Sequence, residues 1–168
     1  VQPPHIAAIT GTNGKTSSAV FLRQLFAAAG HKAASMGTLG IDMGGEGDGL
    51  DAALDYTTPE PVRLHAALRD LVAHQVTHLS MEASSHGLAQ YRLDGVQLSL
   101  AGFTNLSRDH LDYHDSPEAY AAAKQRLFTD VLAADGTAVI TMTHEAGLAM
   151  AEACAAAGRK VLGVGRKD

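Results

Sequence analysis

One segment constrains this chain more than any other: an apolar run that leads through a glycine-rich turn into a stretch with helical periodicity. His5 to Thr10 (HIAAIT) is typical of a buried strand, and Thr16 to Ala29 has apolar residues at helical spacing. Gly11-Thr12-Asn13-Gly14-Lys15-Thr16 lies between them. Glycines allow backbone N–H groups to point inward, and the start of a helix adds partial positive charge. The segment predicts a phosphate-binding loop, with Lys15 on the outer phosphates and the Thr16 hydroxyl available to Mg²⁺.

This loop departs from the common phosphate-loop pattern. The common form, G-x-x-x-x-G-K-[ST], places more residues between its glycines than the Thr12 and Asn13 found here, and Ile9 stands at the expected upstream glycine. An ordinary glycine-rich turn with an incidental lysine is the alternative interpretation. The order of strand, loop and helix favours phosphate binding. Because the Asn-Lys-x-Asp motif that specifies guanine is absent, an adenine nucleotide is expected.

The rest of the chain repeats the alternation of strand and helix. Strands are predicted at Lys32 to Met36, Val76 to Met81, Leu98 to Phe103, Thr137 to Met142 and Val161 to Val164. Three further helices are predicted: one that starts near Pro59 and Pro61, one from Ser116 to Phe128 and one from Glu145 to Ala157. The apolar face of the first of these consists of Leu64, Leu68, Leu71 and Val72. Gly40 to Tyr56 has little periodicity and is predicted to be a loop. The pattern indicates an α/β fold: a mostly parallel sheet with helices on both faces.

Composition sets outer limits on this fold. A chain of 168 residues fits one domain. Its only cysteine, Cys154, excludes an internal disulfide or a cysteine-rich zinc site and points to a reducing compartment. The net charge of −5 disfavours a general nucleic-acid binder, and the apolar runs fall short of the ~18 residues that span a bilayer. Because the chain starts at Val1 without Met, we expect a piece of a longer protein.

Acidic and histidine residues follow two of the predicted strands. Glu82 comes at the end of one strand, where an acid can hold Mg²⁺ directly or through water, or can be a surface carboxylate. His110 and His114 lie four residues apart in the loop after another strand, a spacing that suits a metal pair on a helix. A satisfied polar network is the alternative for this loop. Lys124 lies in an alanine-rich helix, where most lysines are solvated.

Together these motifs resemble a known family. The segments ITGTNGKTSSA, TTPEP, MEASSHGLAQYR, FTNLSRDHLDYH and YAAAKQRLF are similar to the central ATPase domain of Mur ligases, and the short phosphate loop is that family's form. The resemblance covers essentially the whole chain. It implies a P-loop NTPase-like fold for 1–168 as one central domain, with the family's N-terminal UDP-binding domain and C-terminal amino-acid domain absent from this chain.

The resemblance also implies roles for individual residues. ATP would be held by Gly11, Thr12, Asn13, Gly14, Lys15, Thr16 and Ser17; Mg²⁺ by Thr16, Glu82, His110 and a carbamylated Lys124; and the UDP-muramoyl dipeptide by Thr57, Thr58, Ser84, Gln90 and Arg92. Lys15, Lys124 and His110 would be catalytic. Carbamylation turns an ammonium into a carboxylate-like ligand, which is how a lysine can serve a metal site. Tyr56 departs from the family, because some members have Asn there.

The implied activity is ATP-dependent amide-bond formation in the cytoplasm. Within the family, SSHGL, DHLDYH and the helix lysine are similar to ligases that add the third stem-peptide residue, meso-diaminopimelate or L-Lys, to UDP-MurNAc-L-Ala-D-Glu through an acyl phosphate. Another Mur ligase, a folylpolyglutamate synthetase-like ligase, and a nucleotide-binding module without turnover are the alternatives. The folylpolyglutamate form usually carries Gly after the loop lysine, whereas this chain has Thr16. Neither nucleic acid nor membrane insertion is expected.

Overall fold

Strands and helices alternate through residues 1–45, 54–107 and 113–165, the part of the chain that the computed structural model describes. The strands are β1 (His5–Thr10), β2 (Ala33–Gly37), β3 (Gly40–Asp42), β4 (His78–Glu82), β5 (Leu98–Phe103), β6 (Leu132–Thr141) and β7 (Lys160–Val164). The helices are α1 (Lys15–Ala28), α2 (Pro61–Ala73), α3 (Ser85–Ala89), α4 (Pro117–Arg126) and α5 (Glu145–Ala156), and a π-helical turn, Leu127–Val131, follows α4.

The strands form a 7-stranded sheet in the order β3-β2-β4-β1-β5-β6-β7. Neighbouring strands are parallel except β2 and β3, which are antiparallel. The chain moves from β1 toward β2 in one direction and from β2 to β4, β5, β6 and β7 in the other. Right-handed crossovers therefore place α1 on one face of the sheet and α2, α4 and α5 on the opposite face. The predicted α/β fold is confirmed.

The core lies between the sheet and these helices. After its first residue, β1 is buried throughout, as expected of a central parallel strand covered on both faces. On α2 the predicted apolar face is confirmed, because Leu64, Leu68 and Leu71 are completely buried while Val72 is half-buried. Proline at the first helical position fixes where α2 begins, at Pro61.

Three elements differ from the sequence-based predictions. The predicted loop from Gly40 to Tyr56 begins with the short strand β3, which pairs along β2 after a turn that ends at Gly40 with φ +88°; residues 46–53 of that loop lie outside the described residues. The five-residue helix α3 is too short to produce a helical period. Strand β6 begins at Leu132, earlier than the predicted start at Thr137. Leu132 pairs with Leu98 of β5, the register then shifts, and the continuous pairing with β5 starts at Thr137.

The sheet brings three loops to one edge. Since β4, β1 and β5 are adjacent and parallel, the segments that follow Glu82, Thr10 and Phe103 leave the sheet side by side. These are the segments in which the sequence concentrates glycine, hydroxyl, acid and amide side chains. In open α/β sheets this carboxyl edge is where ligands bind.

Candidate functional site

The glycine-rich loop after β1 has the geometry of an anion cradle. Gly11 and Gly14 have φ of +149° and +84°, values that favour glycine. A Cβ at Gly11 would lie 1.9 Å from Thr104 Oγ1, so this glycine is also needed for close packing. Gly14 is the N-cap of α1 and supplies no side-chain cap. The first N–H groups of α1 therefore face the loop without a capping side chain, as at helix ends that bind phosphate.

The loop after β5 fixes the position of this cradle. Thr104 Oγ1 donates to the carbonyl of Asn13 (2.7 Å), and Asn105 Oδ1 accepts from the Asn13 N–H (3.0 Å). Thr12 Oγ1 accepts from the Ser107 N–H at 2.9 Å. The cradle is therefore held in place by the loop that follows the neighbouring strand β5.

Two lysines converge on the carbonyl of Gly11. Lys15 Nζ donates to the carbonyl oxygens of Gly11 and Thr12, each at 2.9 Å, and Lys124 Nζ donates to the Gly11 carbonyl, also at 2.9 Å. Lys124 is only 1% exposed, and its Nζ lies 4.3 Å from the centre of the Tyr120 ring. The interpretation of Lys124 as a solvated helix lysine is wrong, because α4 turns this side chain toward the phosphate loop.

Glu82 stands beside the first turn of α1. Its Oε1 accepts from the Thr16 hydroxyl at 2.9 Å and from the Thr38 N–H at 2.8 Å, and the residue is 2% exposed. It is therefore not the surface acid of the alternative interpretation. A carboxylate next to a hydroxyl offers the hard oxygen ligands that Mg²⁺ prefers, and Mg²⁺ needs few of them because it keeps several waters. These residues fit a bound Mg²⁺.

A second group of polar side chains surrounds the start of α3. Thr58 is fully buried; its hydroxyl donates to the Glu82 carbonyl (3.0 Å) and accepts from the Ser84 N–H (2.9 Å). Arg92 Nη1 donates to the Thr58 carbonyl at 2.7 Å, and Arg92 Nε donates to Gln90 Oε1 at 3.0 Å. The segment around Thr58 is thus tied to both the carboxylate strand and the turn after α3.

One cavity of about 690 Å³ joins the two groups. Its lining includes the predicted residues Thr12, Asn13, Gly14, Lys15, Thr16, Thr57, Glu82, Ser84, Gln90, Arg92 and Lys124. Gly11 and Thr58 are buried beneath it, Ser17 is exposed on α1 outside it, and His110 lies outside the described residues. Lysine and arginine outnumber acidic side chains in this lining, which suits an anionic ligand.

Three residues without a predicted role, Thr38, Ser85 and His86, also line the cavity. Tyr56, the position at which the sequence departs from the family, lines it as well. Ser85 and His86 follow Ser84 directly, so their place in the same motif was the available signal. Thr38 follows the end of β2, and only the adjacency of β2 and β4 brings its N–H to Glu82.

Two features are absent from the part of the chain that the structure describes. Within 1–45, 54–107 and 113–165, no group of three or more His, Cys, Asp or Glu side chains is arranged to hold a metal ion. Among the helices in those same ranges, none has both the length and the hydropathy that a bilayer crossing requires.

Fold and site together define a phosphate-loop α/β domain with a polar cavity at the carboxyl edge of its sheet. The profile of the Mur ligase middle domain matches residues 9–168. This chain belongs to that family. The resemblance noted from the motifs is thereby confirmed.

Particular relatives share about half of the residues. A "UDP-N-acetylmuramoyl-L-alanyl-D-glutamate--2,6-diaminopimelate ligase" of Bradyrhizobium diazoefficiens is 48% identical over 165 residues, which are 98% of this chain and 33% of the relative. The protein of the same name from Anaplasma marginale is 51% identical over 164 residues, 98% of this chain and 34% of the relative. The chain therefore spans about a third of the length of the curated relatives it matches.

Solved structures agree with this placement. A structure of a UDP-N-acetylmuramoyl-L-alanyl-D-glutamate--2,6-diaminopimelate ligase superposes with a TM-score of 0.84 at 37% identity, covering 100% of this chain and 33% of the other. E. coli FolC in complex with DHPP and ADP gives a TM-score of 0.64 at 17% identity, covering 96% of this chain and 42% of the other. The second likeness concerns the fold alone.

Proposed function

We propose that this chain is the ATP-binding middle domain, residues 1–168, of a cytoplasmic ligase that adds meso-diaminopimelate to UDP-MurNAc-L-Ala-D-Glu. The observation that carries the proposal is the near-50% identity to ligases of that name along almost the entire chain. The N-terminal UDP-binding and C-terminal amino-acid domains would complete the enzyme. The relatives favour diaminopimelate over L-Lys as the added residue.

ATP would bind with its phosphates in the cradle from Gly11 to Ser17. The uncapped start of α1 and the ammonium of Lys15 support this assignment, because both attract phosphate oxygens. In the described structure Lys15 donates to loop carbonyls of Gly11 and Thr12, so its ammonium is already held above the cradle. Exchanging these bonds for phosphate oxygens would need little movement of the backbone.

Thr16 and Glu82 would hold Mg²⁺, with His110 and a carbamylated Lys124 as further ligands. The cation, when bound, neutralises charge on the phosphates and the attacking carboxylate. Carbamylation joins CO₂ to the neutral amine of Lys124 and releases a proton, which leaves an anionic oxygen ligand in place of an ammonium. The burial of Lys124 beside the phosphate loop supports this role, since its amine already lies next to the groups that would bind the phosphates.

Thr57, Thr58, Ser84, Gln90 and Arg92 would hold the muramoyl dipeptide. The phosphate cradle, Glu82, Thr57, Ser84, Gln90 and Arg92 line the same cavity, which supports a dipeptide carboxylate bound next to the γ-phosphate. Thr58 acts mainly by positioning, because its hydroxyl is already used by Glu82 and Ser84. Arg92 supplies the positive charge on this side of the cavity.

The reaction would proceed in two transfers. The D-Glu carboxylate attacks the γ-phosphate, the bond from that phosphorus to the bridging oxygen breaks, and ADP leaves. The amine of diaminopimelate then attacks the acyl carbon, the bond from that carbon to the oxygen bridging to phosphorus breaks, phosphate leaves with its electron pair, and the amine loses a proton. Lys15 and the N–H groups of the cradle hold the phosphates in line while negative charge accumulates, so positioning and charge neutralisation provide the catalysis.

Phosphate release tests this function. The complete enzyme should release phosphate from ATP only when UDP-MurNAc-L-Ala-D-Glu and meso-diaminopimelate are both present, and mass spectrometry should detect the UDP-tripeptide. Release that depends on a folate and glutamate instead would contradict the proposal. These 168 residues alone should show little or no turnover, because they span about a third of the length of the related ligases; efficient ligation by them would contradict the three-domain assignment.

A further inference from the structure

We propose that Arg126 is a positioning residue for the muramoyl dipeptide, because it locks the turn that carries Gln90 and Arg92 onto the helix that carries Lys124. The inference rests on the proposed function. It adds a residue outside the cavity to the parts of the site, and it names the substrate whose binding that residue controls.

The guanidinium of Arg126 is the centre of a small cluster outside the cavity. It donates to the Leu88 carbonyl at the end of α3, to Asp94 Oδ2 at 3.0 Å and to Asp130 Oδ2 at 3.1 Å. Its central carbon lies 4.1 Å from the centre of the Tyr91 ring. With only 19% of its side chain exposed, Arg126 is largely removed from competition with water.

The turn that Arg126 covers has an unusual backbone. Tyr91 has φ +57°, in the left-handed region that a residue with a side chain rarely adopts. The N–H groups of Tyr91 and Arg92 close the end of α3 by donating to the carbonyls of Leu88 (3.2 Å) and Gly87 (2.9 Å). Because Tyr91 is not glycine, this conformation also needs support from side chains around it. The contacts of Arg126 act on both sides of it: on Leu88 before the turn, on the Tyr91 ring within it, and on Asp94 after it.

Because of this backbone conformation, the side chain of Tyr91 points away from the cavity while those of its two neighbours point into it. Tyr91 is 63% exposed and contacts Arg126, whereas Gln90 and Arg92 both line the cavity and bond to each other. If Tyr91 relaxed to an ordinary φ, Gln90 and Arg92 would no longer point together into the cavity. The contact between Arg126 and Tyr91 therefore helps to maintain the pair that would bind the dipeptide.

Arg126 also lies two residues after Lys124 on α4. One end of this helix thus places Lys124 against the phosphate loop and Arg126 against the dipeptide turn. Lysine cannot replace this arginine fully, because an ammonium lacks the planar fork that reaches a carbonyl and two carboxylates at once. The dipeptide site depends on this geometry, while the phosphate cradle has its own supports from Thr104 and Asn105.

Steady-state kinetics of the complete ligase test the inference. Arg126→Met should raise the KM for UDP-MurNAc-L-Ala-D-Glu roughly tenfold, with the KM for ATP and kcat changed less than about twofold. Arg126→Lys keeps the charge and the fold and should raise the same KM by a smaller factor. Tyr91→Gly in the Arg126→Met background should partly restore the KM, because glycine adopts a positive φ without help.

Arg159→Met is the matched control. Arg159 also donates to two backbone carbonyls, those of Phe128 (3.2 Å) and Thr129 (3.1 Å), but it does not line the cavity. Its loss should lower the melting temperature and leave the KM for the dipeptide unchanged. If Arg126 substitutions change the KM for the UDP-dipeptide and the KM for ATP equally, or change neither, in an enzyme that is still active, the inference is overturned and the proposed function still stands. A wild-type enzyme that needs no UDP-dipeptide would overturn the proposed function, and the inference with it.

Discussion

Gly37 lies at the end of β2 with its Cα facing the carboxylate arm of Glu82. A Cβ at this position would lie 2.1 Å from Glu82 Oε1 and 2.6 Å from both Cδ and Cγ. Gly37 is not among the residues with positive φ, so alanine meets no backbone strain there. Gly37→Ala therefore acts first on Glu82, through steric overlap.

The size of the effect follows from this overlap. Ordinary van der Waals contact starts near 3.4 Å, so the carboxylate must move by more than an ångström. Glu82 is 2% exposed, so its carboxylate can move only into the cavity that it lines, away from Thr38. The 2.8 Å bond from the Thr38 N–H would be broken, and a hydrogen bond to a charged group contributes about 1.5–3 kcal/mol. Losing a group that orients a metal ligand costs roughly 10–100-fold in metal affinity.

Calorimetric titration of this chain with a non-hydrolysable ATP analogue measures that loss. Gly37→Ala should weaken binding roughly 10–100-fold in the presence of Mg²⁺ and leave binding without Mg²⁺ unchanged, since the phosphate cradle is untouched. Gly102→Ala is the control, because this strand glycine would gain only an ordinary contact, 3.5 Å from Ile9. Circular dichroism checks that each variant is folded.

A double-mutant cycle decides whether Glu82 transmits the effect. Glu82→Ala removes the side-chain arm that collides, so Gly37→Ala should cost nothing further in that background. The reasoning is refuted if Gly37→Ala binds the Mg²⁺ complex as tightly as wild type, or if its cost is the same with and without Glu82.

Three further predictions concern groups elsewhere in the fold. In the complete ligase, Lys124→Ala should reduce phosphate release at least about 10–100-fold, with partial recovery when a short carboxylic acid is added; unchanged activity would return Lys124 to a structural role. Burial, and then the neighbouring His31 and His5, lower the pKa of His78. Since the unfolded chain then binds more protons below about pH 6.5, stability should fall as pH drops through that value, and His78→Phe, which keeps an aromatic ring, should show a smaller drop in melting temperature between about pH 7.5 and 5.5. Burial raises the pKa of the Cys154 thiol to about 11, so a disulfide reagent at about pH 8 should modify Cys154 at least about 100-fold more slowly in the native chain than in guanidinium; equal rates would contradict this.

Local signals were enough to predict much of the fold. The buried run of β1, the proline that starts α2 and the glycine-rich loop each have a short-range physical cause, and their predicted positions agree closely with the structure. The alternation of strand and helix then leaves few arrangements other than a parallel sheet. The strand β3 was missed because its three residues pair only with the free side of β2.

Several residues of the candidate site were also predictable, because they belong to motifs of fixed spacing. The phosphate loop and the Glu82 segment each contain their residues within a short run. The stretch from Ser84 to Arg92 likewise places its polar side chains close together in the sequence. Which groups touch each other across these segments was not predictable from spacing.

By itself, then, the sequence determined the class of fold, the phosphate loop and the edge of the sheet where polar groups collect, because each depends on neighbours within a few residues along the chain. Only the tertiary structure decided which way Lys124 points, since α4 has alanines on several sides and no clear apolar stripe. It also decided that Gly37 must lack a side chain and that Arg126 contacts Tyr91. These depend on contacts between residues far apart in sequence, which the order of strands β2-β4-β1-β5 and the packing of α4 against α3 create.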